Sequence, residues 1–167
     1  MLKIAMDLLV NPYDHTENEK KGYLFERWVV GRFPQHKFLL QDWRSDKHCG
    51  EIYPKSSMNP DLVFRMFGPG QKIFFAVECK WKAKNYDGQY PWAATYKRIV
   101  YNKFGVKLKM PIHVALGIGG SPDQPEHAYL LPFEKIRYQD FIDQRLLDQY
   151  PWPEDLAGMK KCIAHSA

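Results

Sequence analysis

Apolar and polar residues alternate along several short stretches of the chain, a pattern typical of β-strands. The clearest stretch, Ile-Phe-Phe-Ala-Val-Glu-Cys-Lys at residues 73–80, is rich in β-branched and aromatic residues and predicts a strand. Its alternation places Glu78 and Lys80 on one face of the strand and Val77 and Cys79 on the other. Charges at the end of an apolar strand are costly to bury unless they are paired, hydrated or bound to a metal. This strand end therefore predicts a functional site.

Similar patterns predict the other elements of the fold. Strands are predicted over residues 38–43, 61–67, 111–119 and 127–131, and helices over residues 19–33, 92–104 and 141–150. Gly68-Pro69-Gly70 is a strong turn signal, so strands 61–67 and 73–80 should form an antiparallel hairpin. The strand, helix, strand order that follows favours a parallel crossover. Gly105 is expected to end the middle helix, and the residues after 150 are expected to form a loosely held tail.

These elements predict an α/β fold, a mixed sheet of about five strands with helices on both faces. A chain of 167 residues fits a single domain, residues 1–167, with a core over about residues 18–150. No secretory signal is expected at the start of the chain, and no apolar run approaches the ~20 residues that span a bilayer. The three cysteines lie far apart, without the spacing of a zinc site, and indicate a reduced, cytoplasmic protein.

The positive charge is concentrated in one segment that begins at the predicted site. Residues 80–109 contain eight basic residues and one acid, a balance of +7, whereas the rest of the chain has a balance of -2. Aromatic residues are interleaved with these charges, which suits phosphate contacts and base stacking. The alternative is an amphipathic helix whose aromatic residues face the core and whose basic residues are simply hydrated. The expected nucleic-acid contacts are Lys82, Lys84, Lys97 and Arg98.

The charged residues occur in a recognisable pattern. Pro60-Asp61 followed by Glu78-Cys79-Lys80 resembles the PD-(D/E)XK motif of the restriction-endonuclease-like nuclease superfamily, which includes Holliday-junction resolvases. Many members carry an acid on the first helix in a Gly-x-x-Phe-Glu setting, and Gly22-Tyr23-Leu24-Phe25-Glu26 has that form. The resemblance covers about residues 20–131. The element order that it implies is the one predicted above from the patterns alone.

The resemblance implies a divalent-metal-dependent nuclease, with DNA as the expected substrate. Two carboxylates from adjacent strands offer the hard oxygen ligands that Mg²⁺ or Mn²⁺ prefers, and Asp61 and Glu78 are the expected direct ligands. The resemblance adds the backbone carbonyl of Cys79, and it adds Glu26 as a ligand that binds directly or through water. Lys80 would orient or help to deprotonate the attacking water and stabilise the transition state. A double-strand cut needs two sites, so a homodimer is one expectation.

Other interpretations remain open from the sequence. Glu78 and Lys80 could form a surface ion pair that contributes little to stability, and the fold could serve as a non-catalytic nucleic-acid-binding or assembly module. An interaction domain with no nucleic-acid role is a third alternative. A polar residue before or within the crossover helix could also lie near the metal, and the candidates are Gln89, Tyr90 and Lys97.

Three other features are given structural interpretations. His48 beside Cys49 is interpreted as a loop histidine, because no second cluster of metal ligands supports a site there. His113 lies on an apolar strand and is expected to be a core histidine with its hydrogen bonds satisfied rather than a metal ligand. The glycines at residues 117–120 end a strand rather than open a helix, so they predict a turn and not a dinucleotide site.

Overall fold

The computed structural model describes residues 17–44, 58–68, 70, 72–85 and 87–164. His48 and Cys49, and most of the loop that contains them, lie outside these residues. Among the described residues, no helix is both long and apolar enough to cross a membrane.

Four helices and seven strands make up the fold in this part of the chain. In chain order they are α1 (Glu17–Arg32), β1 (Phe38–Trp43), β2 (Leu62–Phe67), β3 (Lys72–Lys82), β4 (Gln89–Pro91), α2 (Thr95–Leu108), β5 (Ile112–Ile118), β6 (His127–Pro132), β7 (Phe141–Asp143), α3 (Gln144–Leu147) and α4 (Leu156–Ala164).

Five of the strands form one mixed sheet in the order β1-β2-β3-β5-β6. β2 and β3 are the predicted antiparallel hairpin, with Leu62 opposite Val77 at its open end. β3 and β5 are parallel, as the crossover through α2 requires, and the other neighbouring pairs are antiparallel. The five-stranded mixed sheet predicted from the sequence is therefore confirmed. The short strands β4 and β7 form a separate antiparallel pair.

Each face of the sheet carries its own core, because side chains alternate along every strand. On one face, Phe75 and Val77 of β3 pack with buried residues of α1 and α4, including Phe25 and Ile163. On the other face, Ala76 packs with buried residues of α2 and β5, which are Tyr101, Phe104, Val114 and Leu116. Helices therefore cover both faces, as predicted.

A glycine on β5 lets α1 lie close to the sheet. A Cβ atom added at Gly117 would come within 2.4 Å of Cε2 of the Phe25 ring. The glycines that follow it, Gly119 and Gly120, have φ angles of +68° and +60° and lie in a turn, as predicted for this stretch. Gly117 thus sets how closely the helix that carries Glu26 approaches the sheet.

Three sequence-based boundaries were wrong. The middle helix does not end at Gly105 but continues to Leu108, and Lys109 takes the left-handed conformation that ends it. Residues 141–150 form the strand β7 and the single-turn helix α3 rather than one helix. Residues 151–164 are not a loose tail, because α4 buries Met159 and Ile163 in the core. The core thus extends past residue 150.

Candidate active site

The open end of the hairpin brings the predicted acids together. Asp61 directly precedes β2. Because Leu62 pairs with Val77, continuing the same antiparallel register by one residue places Asp61 opposite Glu78. The carbonyl oxygen of Asp61 accepts the backbone N–H of Arg44 at 2.7 Å, which holds the backbone at this point. Asp61 and Glu78 are 8 % and 1 % exposed, so both carboxylates are inside the protein.

Two donors bind the same oxygen of Glu78. The Tyr101 hydroxyl of α2 donates a hydrogen bond of 2.7 Å to Oε1, and the Lys80 ammonium forms an ion pair with Oε1 as well. The other oxygen, Oε2, is buried and has no hydrogen-bond partner among the described residues. A buried carboxylate oxygen without a donor is costly. Glu78 therefore does not form the surface ion pair considered as an alternative from the sequence.

The carboxylate of Asp61 is held by the backbone of β3. The N–H of Cys79 donates to Asp61 Oδ2 at 2.7 Å. Burial, followed by the negative charges of Glu78 and Glu26, raises the pKa of Asp61 well above its usual value of 3.8. Three acids thus repel one another at this position, and a bound cation would relieve that repulsion.

Lys80 lies among these acids and is charged. Burial by itself lowers its pKa, but the carboxylates of Glu78 and Asp61 outweigh burial, so that the pKa of Lys80 rises above 10.5. A protonated ammonium can orient a water molecule or stabilise a developing negative charge. It cannot accept a proton from that water, so the electrostatic role predicted for Lys80 fits this arrangement better than the role of base.

Glu26 is buried on α1, although an acid within a helical stretch is most often exposed. Its exposed fraction is 8 %, and its Oε2 accepts the indole N–H of Trp43 at 2.5 Å. Trp43 ends β1 and stacks on the ring of Tyr23, with centroids 5.5 Å apart. The hydrogen bond from Trp43, on the edge strand β1, thus orients the carboxylate of Glu26.

The donor set is compatible with a hard divalent cation. No group of three or more His, Cys, Asp or Glu side chains within the described ranges forms a ready-made metal cluster. Mg²⁺, however, keeps several waters and is held by one or two carboxylates. Glu78 Oε2 is a buried, unpartnered oxygen of the required kind, and Asp61 lies opposite Glu78. The site therefore fits Mg²⁺ or Mn²⁺ on the chemistry of its oxygen atoms.

The backbone carbonyl of Cys79 is a further ligand that the local register can supply. In an antiparallel ladder, the N–H and C=O of one residue point toward the same neighbouring strand. The register of the hairpin would place Cys79 opposite Pro60, which has no N–H to donate to that carbonyl. Pro60 thus leaves the Cys79 carbonyl without an N–H opposite it on the β2 side.

The four basic residues predicted to contact nucleic acid differ in their exposure to solvent. Lys84 is exposed, whereas Lys82 and Lys97 are partly exposed. Burial and the charge of Lys80 lower the pKa of Lys82, so Lys82 lies near Lys80. Arg98 is buried, and its guanidinium donates to the carbonyls of Ala93 and Gln139 and pairs with Asp140.

Arg98 is consequently a structural residue that holds α2 against residues 139–140, and we exclude it from the nucleic-acid contacts. The aromatic residues of the basic segment divide in the same way. Tyr90, Trp92, Tyr101 and Phe104 face the core, as the amphipathic alternative expected, while Tyr96 is exposed. The Tyr90 hydroxyl donates to Gln144 at 3.3 Å, which gives it a structural partner in that core.

Tyr101 and Trp43 are the residues of this site that sequence reasoning missed. Each is aromatic and lies on an element with a buried face, so each is readily interpreted as a core residue. The spacing of Tyr101 on α2 does predict that it faces the sheet. Nothing in the sequence pairs its hydroxyl with Glu78, because that contact depends on how α2 packs across β3.

Comparisons with known proteins identify the fold. No family model and no curated protein matches the sequence. Among solved structures, the chain is similar to Hjc, a Holliday junction resolvase from the archaeal hyperthermophile Archaeoglobus fulgidus, with a TM-score of 0.52 and 17 % sequence identity. The match covers 78 % of this chain and 94 % of that chain. At this identity the likeness shows the fold alone, and it confirms the restriction-endonuclease-like fold predicted from the sequence.

Proposed function

We propose that this protein is a divalent-metal-dependent nuclease that hydrolyses phosphodiester bonds in DNA. The observation that carries the proposal is the convergence of Asp61, Glu78 and Lys80 at the open end of the hairpin, where Glu78 Oε2 is buried and has no partner among the described residues. Such an arrangement is costly for a purely structural site. It suits a site that binds a cation and a phosphate.

Each group has a role that follows from its chemistry. Asp61 and Glu78 would hold the cation, the carbonyl of Cys79 would add a backbone oxygen, and Glu26 would bind the cation directly or through a water. The cation would supply Lewis-acid chemistry, lowering the pKa of a water and offsetting charge on the phosphate. Lys80, as a cation, orients the attacking water and stabilises the charge that develops on the phosphate.

The lysines beyond β3 supply the proposed path for the DNA backbone. Lys82 lies two residues from Lys80 on β3, and Lys84 is exposed directly after that strand. Lys97 lies on the first turn of α2 and is partly exposed. Phosphate contacts of this kind give binding that weakens steeply with salt. A homodimer would supply a second site for cutting both strands, and sedimentation of the purified protein tests that oligomeric state.

The test is cleavage by purified protein in Mg²⁺ or Mn²⁺, with linear duplex, single-stranded and four-way-junction DNA as substrates. We expect Asp61→Asn to lose at least about 100-fold in rate. Asparagine keeps an oxygen that can accept the N–H of Cys79, so the variant retains that hydrogen bond while losing the charge. Asp148→Asn is the matched control, because Asp148 is exposed and its carboxylate accepts a hydrogen bond from the side chain of Gln144.

Full metal-dependent cleavage by folded Asp61→Asn protein would contradict the proposal. If the wild-type protein binds DNA with a steep salt dependence but neither binds Mn²⁺ nor cleaves, the fold serves as a non-catalytic nucleic-acid-binding module instead. Failure to bind DNA at any salt concentration would remove the nucleic-acid role altogether.

A further inference from the structure

The hydroxyl group of Tyr101 links the helix α2 to the acid cluster, which consists of Glu26, Asp61 and Glu78. Its side chain is among the largest that are fully enclosed, and its hydroxyl donates to Glu78 Oε1 at 2.7 Å. The ring of Tyr101 contacts that of Phe133 edge to face, with centroids 6.2 Å apart. The phenol is thus held by packing, so the position of its O–H is determined by the core rather than by Glu78.

This hydrogen bond determines which oxygen of Glu78 is available. Lys80 also binds Oε1, so both donors are used on one oxygen, and Oε2 is buried without a partner in the part of the chain that the structure describes. A glutamate side chain rotates about three bonds, and a carboxylate with one long, flexible lysine as its partner could turn and exchange its two oxygens. A second donor on a packed ring removes that freedom.

We propose that Tyr101 is a positioning residue for Glu78, which directs Oε2 toward a divalent cation by holding Oε1. The inference rests on the proposed function, because it assigns Oε2 to the same metal site. Groups that orient a metal ligand without touching the metal commonly change metal affinity by about 10- to 100-fold when they are lost. Tyr101 lies on a different element from all the proposed ligands, so the crossover helix becomes part of the metal site.

A purely structural role would make Tyr101 equivalent to other buried tyrosines of the same core. A buried tyrosine hydroxyl needs a partner, and any acceptor would satisfy it. Tyr90 is the comparison within this chain, since it is 4 % exposed, belongs to the same core and donates to Gln144 at 3.3 Å. The two residues differ in that Tyr101 uses a proposed metal ligand as its acceptor.

The experiment compares Tyr101→Phe with Tyr90→Phe in the full-length chain. Each change removes one buried hydroxyl and keeps the ring. Mn²⁺ binding is measured without DNA from the electron paramagnetic resonance signal of unbound Mn²⁺. We expect Tyr101→Phe to bind Mn²⁺ about 10- to 100-fold more weakly than the wild-type protein, and Tyr90→Phe to bind it with unchanged affinity. Urea unfolding of both variants in the absence of metal checks that each remains folded.

Cleavage measurements separate positioning from a general loss of structure. For Tyr101→Phe we expect the half-saturating Mn²⁺ concentration to rise while the KM for DNA stays unchanged, and saturating Mn²⁺ should restore most of the rate. Equal Mn²⁺ affinity in wild type and Tyr101→Phe would overturn the positioning role and leave the proposed nuclease intact. Weakening of Mn²⁺ binding to the same extent in Tyr90→Phe would also overturn it. A wild-type protein that binds no Mn²⁺ would overturn both proposals together.

Discussion

His113 provides a quantitative test of how the C-terminal helix α4 covers the sheet. It lies on β5 and is fully buried, with its ring edge-on to Phe75 at 6.0 Å, and neither ring nitrogen has a hydrogen-bond partner of normal geometry among the described residues. Burial lowers the pKa of His113 from 6.5 to about 4, and the backbone of Cys162 on α4 offsets this only in part. His113 is therefore neutral in the folded protein at pH 7. Its burial confirms the core position expected from the sequence, but the satisfied hydrogen bonds also expected for its ring are not found among the described residues.

The sign of the pH effect follows from linkage between protonation and folding. Because the pKa is lower in the folded state, protons favour the unfolded chain. Neutral His113 makes its full contribution to the free energy of unfolding above pH 6.5. This contribution declines as the pH falls and is lost below about pH 4. A difference of about 2.5 units at about 1.4 kcal/mol per unit corresponds to about 3 kcal/mol in the free energy of unfolding. Most of that loss, about 2–3 kcal/mol, should have occurred by pH 4.5.

The assay is urea unfolding at a series of pH values from 7.5 to 4.5 for the wild-type protein and His113→Leu. Leucine fills an apolar site without titrating, so the difference between the two proteins isolates His113 from the other groups. We expect the free energy of unfolding of the wild-type protein to fall by about 2–3 kcal/mol relative to that of His113→Leu over this range. His127→Leu, which removes an exposed histidine, controls for the loss of a surface imidazole.

Parallel pH profiles for wild type and His113→Leu would refute the reasoning. They would mean that His113 is hydrated or protonated in the folded state. Either result would place α4 differently, because burial of His113 depends on the helix that packs over this part of the sheet.

Two further predictions concern packing and the basic segment. Gly117→Ala should lower the free energy of unfolding by about 1–3 kcal/mol, because its Cβ would meet Phe25 at 2.4 Å. Gly22 lies in open space on α1, so Gly22→Ala should raise the free energy of unfolding by about 0.5–1 kcal/mol. Urea unfolding of both variants checks these values. Arg98→Ala should lower the free energy of unfolding by about 1–3 kcal/mol, because it removes the hydrogen bonds of a buried guanidinium to the carbonyls of Ala93 and Gln139, of which that of Gln139 keeps a second donor, the indole N–H of Trp92. Lys84→Ala should leave stability unchanged and reduce the salt dependence of DNA binding by about one phosphate contact. A stable Arg98→Ala protein with a reduced salt slope would reverse our assignment of these two residues.

The strands of the main sheet could be predicted from the sequence because their signals are local. Strand β1 has the predicted bounds, and the hairpin of β2 and β3 follows from alternation on either side of Gly68-Pro69-Gly70. The faces of β3 also follow from alternation alone: Cys79 belongs to the core on the α1 side, whereas the Glu78 carboxylate reaches Tyr101 of α2. For these elements, the side-chain pattern and the tertiary environment agree.

The errors occurred where tertiary contacts outweigh local signals. Gly105 looks like a helix end, yet the helix needs a glycine there because a Cβ would come within 3.1 Å of the Met110 carbonyl oxygen. Phe141–Asp143 becomes a strand because it pairs with β4, about fifty residues earlier in the chain. The helix α4 is short, and its stability comes from burial of Met159 and Ile163 rather than from its own propensity.

In the candidate site, too, the features set by local sequence could be predicted and those set by tertiary contacts could not. Asp61, Glu78 and Lys80 could be named from the sequence because their positions on a hairpin determine which residues face one another. Residues 61 and 78 are opposite in any antiparallel hairpin of this register. The hydroxyl partner of Glu78 could not be named, because it depends on the rotation and height of α2 above the sheet. Arg98, three residues earlier on α2, was predicted to contact nucleic acid but is buried, and the sequence could not show this for the same reason.

The arrangement of Glu78 argues against a purely stabilising role for the acid cluster. A buried ion pair contributes to stability only when the remaining polar atoms are also hydrogen-bonded, and well-packed apolar residues are often as good or better. Glu78 Oε2 lacks such a partner among the described residues, and Asp61 and Glu26 add negative charge beside it. Stability alone would therefore favour apolar residues at these positions. The joint presence of the acids at one buried position supports the proposed binding of a cation and a phosphate.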